Sequence, residues 1–159
     1  MFILKGNAYF SNEDFGYPDS SLHGRLCWYS NILHENNEPV LFNLSTEKTI
    51  YRFTHINRFG HGYSIRLEKN DSTYTLFISG RGETIERNLY RFEAKEFEKR
   101  LKRCRFWKMS TRVERRGFDG SQWILEGIKD SEYHVVDRWS PKKRSSYRKM
   151  CQYLKYLIL

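Results

Sequence analysis

The stretch from Gly117 to Pro141, GFDGSQWILEGIKDSEYHVVDRWSP, gathers Asp119, Glu126, His134, Asp137 and Arg138 into what reads as one β-hairpin. Strands of a packed sheet carry that many ionisable groups either to pair them or to use them. A three-residue turn sets Glu126 opposite His134, a carboxylate–imidazole dyad suited to general-base chemistry, with Arg138 or Arg66 to hold an anion. A turn of two or four residues centred on Asp130-Ser131 instead pairs Glu126 with Val135 and Trp123 with Arg138. That register puts Trp123, Leu125, His134, Val136 and Arg138 on one face, and Gln122, Ile124, Glu126, Asp137 and Trp139 on the other. Arg138 can then lie over Trp123 as a cation–π pair. No G-x-S-x-G, P-loop or H-E-x-x-H motif accompanies these residues. A hydrolase-type enzyme built on Glu126, His134 and Arg138 is therefore the last of three readings. A salt-bridge lattice on the sheet, with Trp123 and Trp139 in the core, accounts for the same residues without catalysis.

Other reactive types are sparse. His55 and His61 straddle a turn, but a metal site needs three or four converging ligands and the sequence supplies no third. His23 and His34 fall outside ligand spacing, so neither metal nor cofactor is expected. Gly80-Arg81-Gly82 is a turn signal before it is a phosphate loop. Cys27, Cys104 and Cys151 are odd in number, far apart and without a Cys-x-x-Cys pair. They predict reduced thiols and a cytoplasmic setting.

Charge is the stronger signal. The chain of 159 residues has a formal net charge of +9, unevenly spread. Residues 1–94 are net −1, residues 95–116 net +7, residues 117–137 net −4 and residues 138–159 net +7. In the first basic block Lys99, Arg100, Lys102, Arg103, Arg105 and Lys108 lie on or just beyond one helix. In the second, Lys142, Lys143, Arg144, Arg148 and Lys149 surround the start of another. Together with Trp107, the set Lys99, Lys102, Arg103, Arg105, Lys142, Lys143 and Arg144 is the candidate binding surface. It suits a protein or polyanionic partner, and nucleic acid if packing joins the 95–116 and 138–149 blocks and Trp107, Phe106 or Tyr147 stacks on bases. Lys142–Arg144 stand at a helix N-terminus, where the dipole disfavours cations.

The elements that must position these groups follow from periodicity. Leu22, Leu26, Tyr29 and Leu33 mark an amphipathic helix starting near Asp19-Ser20-Ser21, weakened at Gly24 and stopped by Asn36-Asn37-Glu38-Pro39. Strands are expected over Ile50–Asn57, Tyr63–Leu67, Thr73–Ser79 and Asn88–Glu93. Ala94, Phe97, Leu101 and Cys104 take up helical spacing to near Phe106-Trp107. After the hairpin strands Gln122–Ile128 and Tyr133–Trp139, Ser145 or Ser146 caps a last helix whose face is Tyr147, Met150, Cys151, Leu154, Leu157 and Ile158. The order α-ββββ-α-ββ-α means a single α+β domain over residues 1–159, with a mainly antiparallel sheet of about six strands and helices packed on it. Burial is predicted for Tyr147, Met150, Leu154, Phe97 and Leu101.

No apolar run approaches the ~20 residues of a membrane span. Met1–Leu4 is too short for an export signal, although one trimmed beforehand leaves no trace. Oligomeric state is not legible.

Asp119-Gly120, Trp123-Ile124-Leu125-Glu126, Tyr133-His134-Val135-Val136 and Arg138-Trp139-Ser140-Pro141 form a signature similar to that of a family of small bacterial proteins with no assigned activity. Phe106-Trp107, Tyr51-Arg52-Phe53 and Arg66-Leu67 look like further parts of it, so the resemblance runs from Tyr51 onward. It implies a bacterial single-domain protein, sometimes behind an export signal, and carries no catalytic residue across. Glu83–Asn88 departs from the pattern. The leading reading is a non-catalytic interaction protein, immunity-like or regulatory, that works through its basic helix faces and exposed aromatics.

Overall fold

The computed structural model describes residues 3–115 and 117–159. Met1, Phe2 and Arg116, which closes the first basic block, lie outside the described residues. A short helix α1 (Asn12–Phe15) precedes α2 (Gly24–Glu35). Strands β1 (Thr49–Ile56), β2 (Gly62–Asn70), β3 (Thr73–Gly80) and β4 (Glu83–Asn88) follow. Then come α3 (Arg91–Cys104), a 3-10 turn (Phe106–Lys108), β5 (Gln122–Lys129), β6 (Glu132–Trp139) and α4 (Ser146–Tyr156). The strands form one six-stranded sheet in the order β4-β3-β2-β1-β5-β6, antiparallel at every step. This is the expected α+β architecture, with α1 as an addition.

Turn chemistry sets the registers. Asp130 and Ser131 both take left-handed backbone angles, φ 51° and 62°, which makes a two-residue hairpin turn whose twist matches the strands. Glu126 therefore pairs with Val135, Trp123 with Arg138 and Gly127 with His134. The odd-length turn that would join Glu126 to His134 does not form.

Both faces of the sheet are covered. On one, Tyr51, Phe53, Ile65, Leu67, Leu76, Leu125 and Val136 pack under Phe97 and Leu101 of α3 and Tyr147, Met150 and Leu154 of α4. All five of the helix residues expected to be buried are buried. Gly127 leaves room for this layer: a Cβ there would stand 2.7 Å from Phe106 and 3.1 Å from Tyr51. On the other face Ile56, Ile124 and Val135 pack under Leu26, Tyr29 and Leu33 of α2, with Tyr9, Phe10 and Phe15 from the N-terminal segment. Central strand β1 is thus buried almost without alternation, as expected of a strand covered on both sides.

Three boundaries differ from the sequence reading. Helix α2 begins at Gly24 with His23 as its cap, the ring Nδ1 accepting from Arg25 N–H. Residues 19–22 remain a loop, pinned by Asn12, whose amide donates to the carbonyls of Asp19 and Ser21 at 2.7 Å each. Gly24 therefore stands at the first helical position, where its conformational freedom costs little. Strand β4 spans Glu83–Asn88 and not Asn88–Glu93. The side chain of Glu93 accepts from Tyr90 N–H at 2.9 Å, so residues 91–93 are the first turn of α3.

Candidate anion-binding surface

Glu126 lies on the sheet face that α2 and the N-terminal segment cover. It is fully buried, and Arg52 Nε donates to it at 2.6 Å. Tyr133 Oη donates to its other oxygen at 2.9 Å. Arg52 is directly opposite Glu126 in one ladder and opposite Arg66 in the other. Two facing arginines need an acid between them, and the loop after α2 supplies it. Glu38 accepts from Arg66 Nε at 2.9 Å and from Ser79 Oγ at 2.6 Å, and lies 3.5 Å from Arg52 Nη1. Arg66 also contacts Glu68, so it is committed to acids of its own chain. Burial pushes the Glu126 carboxyl up, against the pull of Arg52 and Tyr133, while Glu126 holds Arg52 charged despite its burial. Glu38 had looked only like part of a helix stop; the visible clue was two arginines at matching positions of adjacent strands.

His134 is on the opposite face of the sheet from Glu126. Its ring sits against Phe106 (5.1 Å) and Trp107 (6.1 Å), and Nε2 donates to the carbonyl of Met109 at 2.9 Å. Burial lowers its pKa, which suits a neutral ring with its proton on Nε2. Arg138 spreads its guanidinium over carbonyls, donating to Ser110, Thr111 and Asp137 at 2.8–3.1 Å. It lies over Tyr147 at 6.0 Å, whereas Trp123 is covered by Arg148 and Lys155. Asp137 is buried and accepts from Tyr29 Oη (2.9 Å) and Gln122 Nε2 (2.8 Å), tying α2 to the hairpin. Burial raises its pKa, with those two donors pulling the other way. These groups hold elements together. Among the described residues there is also no cluster of three His, Cys, Asp or Glu that could hold a metal ion.

The cations behave differently. Helices α3 and α4 run antiparallel: Tyr153 Oη donates to Glu93 O, and Arg100 lies over the Tyr153 ring at 4.9 Å. The C-terminal end of α3 therefore lies on the same side of the molecule as the N-terminal end of α4, with Lys102 and Arg105 lining one cleft and Lys142 another. Lys99, Lys102, Arg103, Arg105, Lys142, Lys143 and Arg144 are all exposed. Acids on α3 engage Arg100 (Glu96, 2.6 Å) and Lys69 (Glu98, 2.9 Å). None of those seven cations has an acid within ion-pair distance among the described residues.

Beside the C-terminal end of α3 is a cleft of about 640 Å³. Tyr51, Tyr74, Phe106 and half-buried Trp107 form its walls, and Lys69, Lys102, Arg105, Lys108 and Lys129 surround it. Its acid, Glu98, is held by Lys69 and Tyr74 and its pKa falls, chiefly through Lys69. Arg105 gets there through an abrupt turn: it ends α3 in the left-handed region, φ 54°, and starts the 3-10 turn that drops Phe106 into the core. At the other end of the hairpin a second cleft, about 790 Å³, collects Arg25, Arg58, Arg112 and Arg115 beside Trp28, Phe118 and Trp139. The sequence reading missed this set because its arginines come from three separate segments. Two of them are structural, Arg112 donating to Phe15 O and Arg115 to Ser140 O. No family model matches the chain, and no curated protein matches it.

Proposed function

We propose that this is a non-catalytic interaction protein, immunity-like or regulatory, that docks an acidic protein partner on the side where α3 ends and α4 begins. The observation that carries the reading is Arg105. A helix usually ends in the left-handed conformation on glycine, and a side chain there costs about 1 kcal/mol or more. Here the position is held by an exposed cation at the mouth of an aromatic cleft. Lys142–Arg144 likewise precede the N-terminus of α4, where the helix dipole opposes them. Charge kept against local preference in two places on one side of the molecule fits a surface shaped by a partner. The immunity-like role rests on analogy between compact charged scaffolds, not on a shared motif. A second reading, single-stranded nucleic acid, is favoured by the aromatic walls under the cations, which suit base stacking.

Arg105→Gly separates use from accident. It relieves the backbone strain, raising stability by about 1 kcal/mol and the melting temperature by about 2–4 °C. It also removes a docking cation, weakening binding to fluorescent poly-glutamate by about tenfold. Anisotropy titrations at low salt, with poly-glutamate and oligo-thymidylate as probes, read this out. A preference for oligo-thymidylate selects the second reading. Binding of neither probe, or an Arg105→Gly variant that binds both as well as the parent, overturns the proposal.

A further inference from the structure

The two edges of the sheet are treated differently. Edge strand β6 is closed by the segment before β5: Asp137 N–H donates to Thr111 O at 2.6 Å, and Arg112 makes a parallel bridge to Asp137. Edge strand β4 has no such cover among the described residues, and Glu83–Glu86 are all exposed. We infer that β4 pairs with β4 of a second copy of this chain, joining two sheets across a two-fold axis at Ile85. The inference is independent of the cationic surface, which lies at the far side of the sheet.

The backbone phase comes first. The Arg81-Gly82 turn has two left-handed residues and closes on the Gly80–Glu83 pair, and Leu89 N–H still donates to Tyr74 O at 2.9 Å. Residues 83, 85, 87 and 89 thus bond inward to β3, and alternation turns the N–H and C=O of Thr84, Glu86 and Asn88 outward. An antiparallel pair centred on Ile85 sets Thr84 against Glu86 of the second copy, twice, and these are the outward-facing groups. The same register sets Glu83 against Arg87 of the second copy, again twice, so opposite charges meet at both ends. Arg87 is bidentate to Glu93 through Nη1 and Nη2, which leaves its Nε for that contact. Between them Ile85, 64% exposed, meets its own symmetry mate beside Ile78 and Ile158, which line the same cleft. A self-complementary patch of this kind closes at two copies.

Sedimentation equilibrium of the full chain tests it, with Glu86→Pro and Ile85→Lys as variants. Proline at residue 86 removes an outward N–H and leaves the β3–β4 ladder intact. The parent mass is expected to rise with concentration from 19.3 kDa toward twice that and no further. Both variants are expected to stay monomeric with unchanged far-ultraviolet circular dichroism. A parent that is monomeric at millimolar concentration overturns the inference. So does a dimer that survives both substitutions, or growth beyond a dimer, which would mean a head-to-tail contact.

Discussion

Glu126→Leu tests whether the ionisable hairpin is scaffold or machinery. The substitution leaves Arg52 fully buried with Glu38 at 3.5 Å and the Pro39 carbonyl, while its Nη2 already has no partner. Tyr133 Oη loses its acceptor as well. Breaking one side of a buried ion pair costs about 3–5 kcal/mol, and at this chain length each kcal/mol moves the melting point by about 2–4 °C. Arg52→Met has a milder cost, because Glu38 keeps Arg66 and Ser79 and only Glu126 is stranded. The double variant Arg52→Met/Glu126→Leu removes both charges and leaves one unpartnered hydroxyl, Tyr133, worth about 1–3 kcal/mol. It should therefore be no less stable than Glu126→Leu alone, a strongly non-additive cycle. Urea unfolding of the four proteins at pH 7 measures it, with a constant m-value as the check on two-state behaviour. Costs that simply add, or single variants within 1 kcal/mol of the parent, refute the burial argument and return Glu126 to the list of groups free to do chemistry.

Two other outcomes follow from the packing. His55 lies among Phe53, Tyr63 and Trp123, and burial, helped by Lys155, pushes its pKa from 6.5 down to about 4. Between those values the unfolded chain takes up a proton that the native state refuses, so stability falls as pH drops, by about 3 kcal/mol at most. His55→Phe should remove that part of the acid limb, leaving the smaller slope from His134; parallel stability curves for parent and variant from pH 7 to 4.5 would contradict it. Gly127→Ala should cost about 1–3 kcal/mol by crowding Phe106 and Tyr51, read as a lower urea midpoint, and an unchanged midpoint would mean the 3-10 turn shifts freely.

Periodicity and turn residues made most of the fold legible. Leu101 and Cys104, Met150 and Leu154, and the alternation along β1, β2, β5 and β6 each mark a face that is buried where expected. What alternation does not reveal is which polar faces meet water. Ser64, Arg66, Arg52 and Thr54 are polar and buried because α2 and Glu38, distant in sequence, cover them. The β4 error has the opposite cause: ETIERN has a single apolar residue, and an exposed edge needs no more. The hairpin register turned on whether two or three residues made its turn, and Asp130-Ser131 carries no glycine to announce a left-handed pair. For the candidate site, the exposed cations were legible from charge alone. Their placement on one side of the molecule was not, since it depends on α3 and α4 lying antiparallel, and neither was the cleft formed with Lys69 and Lys129 from the sheet.

The buried charges bear on the exposed ones. Among the described residues six with side chains that ordinarily carry charge are buried: Arg52 and Arg66, against Glu38, Glu93, Glu126 and Asp137. Taken at their formal charges they total −2, so the rest of the chain carries +11 where the whole has +9. Some acid groups that could have screened the surface are spent in ladder pairing and in helix docking, and half of the hairpin's net −4 over residues 117–137 is internal, in Glu126 and Asp137. Glu126 and Asp137 are thereby withdrawn from the surface between two basic blocks that the sequence separates by an acidic hairpin, while Asp119, Asp130 and Glu132 stay exposed. The exposed cations of α3 and of the segment before α4 carry a positive field, and a field of this kind acts first on the rate of encounter with an anionic molecule and on its sensitivity to salt.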